Sequence, residues 1–169
     1  PEKDPLYFYI EGIIADSSGN IELARNYFKK SIPGFEKMGI SGKKYLSDVH
    51  ECIGFTYLWW GNNPDLALQH QKIGVKINST FLGPTHPLTA MRKLWLSWAL
   101  MENGMLKECG ETAEEVDRIF VEKLGANSSW RIWAWYYSGW QKYEFGDYAG
   151  AEKLFSMASL RAEQIFGKD

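Results

Sequence analysis

The chain has 169 residues, 45% apolar and 24% charged, the balance of one soluble globular domain. Its formal net charge of −2 leaves no basic field for nucleic acid, and no apolar run approaches the roughly 20 residues of a membrane span. No signal peptide is visible and the first residue is Pro1 rather than Met, so the sequence reads as a cytoplasmic piece of a longer protein.

Four units follow one another. The first, residues 5–40, opens with the apolar segment LYFYIEGIIA and reaches Gly19. A second segment then places Ile21, Ala24, Tyr27, Phe28 and Ile32 at helical spacing. The second unit, 46–84, runs through HECIGFTYLWW to Gly61. Asn62-Asn63-Pro64 lengthens its turn, and Pro64 fits a helix start, where the missing N–H is harmless. The third, 88–126, follows Pro87 and runs through LWLSWALMEN to Gly104, with Cys109 beyond it. The fourth, 130–167, runs through AWYYSGWQKYEF to Gly146. Its second segment carries Ala151, Leu154, Phe155, Ala158, Leu160 and Ile165, largely an i, i+3, i+4 stripe.

Two glycine ladders tie these units together. Gly19, Gly61, Gly104 and Gly146 recur at intervals of 42, 43 and 42 residues; Gly39, Gly83, Gly125 and Gly167 trail them at 44, 42 and 42. A fixed period of this size predicts one two-helix unit used four times. The first ladder suits helix C-termini, where φ > 0 is needed. Seven residues before it stand Gly12, Gly54, Ser97 and Gly139, small enough to let a partner helix approach. Five residues after it stand Ala24, Cys109 and Ala151, with Ala67 one place later in the second unit. No strand-like alternation of useful length appears. The predicted fold is all-α: an α-solenoid of eight helices in four antiparallel pairs, forming a single domain over residues 1–169.

The small residue, the seven-residue step to Gly, the five-residue step to Ala and the aromatic that follows resemble the tetratricopeptide repeat. Gly139, Gly146-Asp147-Tyr148, Ala151, Phe155 and Ala158 make the fourth unit the best match. The usual period of that family is about 34 residues, and the eight or so extra here resemble its kinesin light chain type, as does the linker FLGPTHPLT at 81–89. The resemblance implies a right-handed superhelix. It also implies second helices longer by roughly 12 Å, at 1.5 Å per residue. Repeats of the HEAT kind share the period and are the alternative.

In the family, the first helices line a groove with the second, fifth, ninth, twelfth and thirteenth positions of each repeat. Carried over, these are Leu6, Tyr9, Ile13, Asp16 and Ser17; Asp48, Glu51, Phe55, Leu58 and Trp59; Met91, Leu94, Trp98, Met101 and Glu102; Trp133, Tyr136, Trp140, Tyr143 and Glu144. The implied groove is aromatic, Met-rich and spotted with acid, with no Lys or Arg. Chaperone-binding members hold a peptide carboxylate with Lys and Asn at such positions, so that role is not expected. An apolar or basic peptide or protein fits better, through aromatic and cation–π contact, with Trp98, Trp140 and Tyr143 at its centre. Packing against a further segment of the parent protein, or plain core, are the competing uses; Trp133, Trp135, Tyr136 and Tyr137 cannot all face one way on a helix.

No catalytic, cofactor or metal signature stands against a scaffold reading. His50, His70 and His86 lack any ligand spacing, and Cys52 and Cys109 read as reduced, buried thiols. His86 before Pro87 reads as a cap. Glu114, Glu115 and Asp117 read as a solvated charge run. The expected function is a non-catalytic scaffold, the docking or sensing region of a bacterial transcriptional or signalling regulator. A small-molecule sensor and a structural array that dimerises are the alternatives.

Overall fold

A computed structural model describes residues 4–60 and 63–167. They form eight helices: α1 (Pro5–Ser17), α2 (Ile21–Lys37), α3 (Lys43–Trp59), α4 (Pro64–Phe81), α5 (Pro87–Glu102), α6 (Leu106–Leu124), α7 (Arg131–Glu144) and α8 (Tyr148–Phe166). Among the described residues there is no strand, so the all-α expectation holds. In each hairpin the second helix is the longer: 17 residues after 13, 18 after 17, 19 after 16 and 19 after 14.

The two glycine ladders are the hairpin and linker turns. Every described member has positive φ, from +61° at Gly39 to +97° at Gly83, a region that costs other L-residues strain. The turn expected at Gly61 lies outside the described residues. Four of the eight helices, α1, α4, α5 and α8, start on a side-chain cap or a proline. Asp4 Oδ1 accepts from Leu6 N at 2.8 Å, His86 Nδ1 from Leu88 N at 3.2 Å, and Asp147 Oδ1 from Gly150 N at 2.9 Å. These cap orphan N–H groups at helix N-termini. The Gly150 N–H holds the Asp147 carboxyl below its ordinary pKa. Pro5, Pro64 and Pro87 occupy first helical positions.

Close packing follows from the small residues. A Cβ on Gly12 would stand 2.5 Å from the Phe28 ring, and one on Gly139 would stand 2.7 Å from the Phe155 ring. The glycines therefore admit an aromatic of the second helix into contact with the first helix's backbone. In the second hairpin the place opposite Gly54 is held by Gln71.

The chain divides into two compact units, Pro1–Phe81 and Leu82–Asp169. The core of the first is Ala15, Ala24, Phe28, Phe35, Leu46, Val49 and Ile53, with Tyr9, Tyr45 and Tyr57 packed against it. That of the second includes Leu94, Leu100, Cys109, Ala113, Val116, Phe120, Ala134, Trp135 and Tyr137. Among the described residues, no helix is long and apolar enough to cross a membrane.

Candidate functional site

In the second unit α7 presents two distinct faces. One holds Trp133, Tyr136, Trp140 and Tyr143, spaced i, i+3, i+7, i+10, which a 3.6-residue helix keeps on one side. Their rings run edge to face: Trp133 to Tyr136 at 6.3 Å, Tyr136 to Trp140 at 6.3 Å, and Trp140 to Tyr143 at 5.7 Å. Tyr148 extends the series from Tyr143 at 5.5 Å, and Trp95 of α5 joins it at Trp133, 6.2 Å away. These separations and tilts are those favoured by aromatic quadrupoles. The stripe is therefore an ordered surface and not loose apolar side chains. Trp133 and Tyr143 are 44% and 48% exposed.

The middle of the stripe is anchored. Tyr136 and Trp140 are half-buried against Phe155 of α8, at 6.2 and 6.1 Å. The Trp140 indole N–H is buried and reaches no acceptor. Trp140 is thus partly core, which the sequence did not separate from groove. On α5, Trp98 is half-buried and donates Nε1–H to Glu102 Oε1 at 3.0 Å. Met91 and Met101 are half-buried, and Glu102 and Glu144 are exposed. Leu94, assigned to the groove by family position, is instead fully buried core. Its position between α5 and its packing partners removes it from any binding face.

The first unit offers less. Tyr9 is packed, its ring 6.1 Å from Phe28, 6.2 Å from Phe35 and 6.4 Å from Tyr45, so it serves the core. Tyr9 also bonds to the Cys52 thiol, whose pKa burial pushes up to about 12. Asp16, Asp48, Glu51, Phe55 and Leu58 are half-buried; Ile13 and Ser17 are exposed; Trp59 is 65% exposed. Burial raises the Asp16 carboxyl above its ordinary pKa.

The other face of α7, with Arg131, Trp135, Ser138 and Lys142, lines a cleft of about 540 Å³ together with α6 and α8. Here the supposed solvated run proves otherwise. Asp117 accepts from Arg131 Nε at 2.6 Å and Nη2 at 3.0 Å, and the Arg131 guanidinium lies 4.6 Å over the Trp135 ring. Glu115 pairs with Lys93 of α5 at 2.6 Å. Glu114 alone of the three stays exposed without such a tie. The i, i+1, i+3 spacing of the carboxylates hid that Glu115 and Asp117 reach different helices while Glu114 reaches none.

Two features of the first unit escaped sequence reasoning. Arg25 is 8% exposed: Nε donates to Thr56 Oγ1 at 3.0 Å, Nη2 to Thr56 O at 2.7 Å and Nη1 to Glu22 at 2.5 Å. Its guanidinium also covers Tyr57 at 4.1 Å. His50 and His70 meet with Nδ1 atoms 2.9 Å apart. Burial is the main cause lowering both their pKa values, His70 to about 4, where His50 and Lys29 add to the effect. Twenty residues separate the two in sequence, so only the hairpin could show the pair. Both cysteines are free thiols; burial alone pushes Cys109 up to about 12.

No family model and no curated protein matches the chain. Solved structures do. BtubC (BKLC) of P. vanneervenii superposes with a TM-score of 0.79 at 14% identity, over 94% of this chain and 63% of its own length. A kinesin light chain-like protein of Podosopora anserina, built of nearly identical TPR-like repeats, gives 0.75 at 16% identity over 97% of this chain and 77% of its own. A point variant of that protein gives 0.77 at 17% identity, over 95% and 76%. At such identities the likeness is one of fold. The fold of this chain is that of TPR-like helical repeat proteins.

Proposed function

We propose that the chain is a non-catalytic repeat scaffold that docks an apolar or basic peptide segment of a protein partner on the aromatic face of α5 and α7. The observation that carries this reading is the continuous edge-to-face series from Trp133 to Tyr143, exposed at both ends and accompanied by the exposed Glu102 and Glu144. Ordered rings lose little entropy on binding, and aromatic anchors dominate interface energetics. Carboxylates beside them favour Lys or Arg over Asp or Glu on the partner. The four hairpins are read as one repeat domain of the 42-residue, kinesin light chain-like kind. Its place is the docking or sensing region of a larger cytoplasmic, bacterial regulator of transcription or signalling, without direct contact to nucleic acid or membrane.

The test compares fluorescently labelled peptides of equal length, one Leu/Arg-rich and one Leu/Glu-rich, by anisotropy. The basic peptide should bind and the acidic one should not. Trp133→Ala and Tyr143→Ala, at the exposed ends, should each weaken binding by about 30-fold, the equivalent of a 2 kcal/mol hot spot, with unchanged thermal stability. Equal binding of both peptides, or indifference to both substitutions, would remove the reading. A second reading, a small-molecule effector sensor, is favoured by the α6–α7–α8 cleft, whose volume falls in the range of ligand sites.

A further inference from the structure

The His50–His70 pair joins the two helices of the second hairpin. His50 projects from α3 and His70 from α4, with ring centroids 5.1 Å apart and planes inclined by 33°. Their Nδ1 atoms stand 2.9 Å apart. Tyr57 stacks on His70 at 6.1 Å and 25°, which fixes the second ring from the side. Tyr57 is in turn covered by the buried Arg25 guanidinium. The pair is therefore held by a stack whose far end is hydrogen-bonded to the α3 backbone at Thr56.

The 2.9 Å contact is a hydrogen bond, one Nδ1–H donating to the other Nδ1. Neutral imidazole is the ligating form, and half-burial of both rings favours it over imidazolium; moving the shared proton to Nε2 would leave a lone pair on each Nδ1 for one ion. Metal–nitrogen bonds of about 2.0–2.1 Å set at a right angle span roughly 2.9 Å between nitrogens, whereas the tetrahedral angle preferred by zinc needs about 3.4 Å. The observed separation equals the nitrogen–nitrogen span of two adjacent positions of a tetragonal ion, which would replace the hydrogen bond. Among the described residues no group of three or more His, Cys, Asp or Glu converges to hold a metal, so water completes the coordination. Around the pair, Glu36 contributes a favourable field at His50 and Lys29 an unfavourable one at His70.

We propose that His50 and His70 form a two-imidazole site for a divalent ion of the Cu²⁺ or Ni²⁺ class, which clips α3 to α4 in the second hairpin. Both ions favour imidazole ligands and tetragonal geometry. A clip present only in the folded chain stabilises it by mass action.

The experiment uses the full chain, freed of metal, with CuCl₂ and NiCl₂ as probes. Titration should give one tight equivalent, and the melting temperature should rise with metal concentration. Paramagnetic resonance of the first copper equivalent should show two nitrogen ligands. His50→Gln and His70→Gln should each lower copper affinity at least tenfold and cancel the melting shift, while His86→Gln changes neither. Unaltered affinity in both variants overturns the proposal. So does a first copper equivalent with fewer than two nitrogens in the unsubstituted protein, a readout that stands even if a variant fails to fold. A melting temperature unchanged by either metal overturns it as well.

Discussion

Gln71 shows how a single residue departs from the repeat's design. It is fully buried, and neither Oε1 nor Nε2 has a hydrogen-bond partner. The equivalent places hold Phe28 and Phe155 against Gly12 and Gly139. A buried amide with no partner costs about 1–3 kcal/mol. Gln71→Leu, similar in volume and without polar atoms, should therefore stabilise the protein by an amount in that range, read as a shift of the urea midpoint at constant slope. The opposite outcome is expected at Gly139. Its Cβ position is already 2.7 Å from Phe155, so Gly139→Leu should destabilise by about 1–3 kcal/mol or more; Glu114→Leu, at an exposed position, should change little. The histidine pair makes stability pH-dependent. In the unfolded chain His70 titrates near 6.5; in the fold its pKa is about 4. Between these values the unfolded state binds more protons, so stability is full above about pH 6.5 and declines as pH falls toward 4. Urea midpoints in chelator-containing buffer should show this decline, and His70→Gln should flatten it.

At the scale of an element, Arg25 acts as a strut between helices. It donates from α2 to the Thr56 carbonyl, in the last turn of α3, where backbone carbonyls lack helical partners. Arg25→Ala removes that cap, the Thr56 hydroxyl contact and the cover over Tyr57 together. Hydrogen bonds from a charged group contribute about 1.5–3 kcal/mol, so a loss of about that size is expected. It should appear as faster hydrogen exchange confined first to the end of α3; exchange rising uniformly over the chain would contradict a local strut. The Arg131–Asp117 pair ties α6 to α7 in a comparable way, fixed from below by Trp135. The element scale is also where the glycine ladders act. They end helices in register with the repeat, and at α5 and α8 a His or Asp cap then starts the next one.

At the scale of the molecule, the distribution of exposed apolar surface matters most. Besides the α7 stripe, α8 exposes Leu160 (59%), Ile165 (39%) and Phe166 (76%), while Phe155 packs inward against Tyr136 and Trp140. Exposed apolar rows of this kind mark association surfaces. Light scattering should show an average mass rising with concentration toward a dimer, and Phe166→Glu should suppress the rise. A monomer mass held across the concentration range would exclude self-association through α8.

The amino-acid sequence by itself determined the eight helices, their pairing and the described turns. Each rests on short-range physics: helical spacing of apolar residues, glycine where φ turns positive, and proline or aspartate where N–H groups lack partners. Spacing along one helix also fixes which side chains of α7 share a side, while the groove assignment rested on the resemblance. Tertiary structure decided what those side chains meet. Trp140 and Tyr9 proved to be partly core, Leu94 wholly so, and the carboxylates Glu115 and Asp117 were drawn into ion pairs with separate helices. The Arg25 strut and the His50–His70 pair join residues 31 and 20 positions apart. Whether a polar or aromatic side chain is partnered depends on groups brought up from other helices at distances of a few ångströms. Periodicity sets the direction in which a side chain leaves its helix, and only packing sets what stands at the other end.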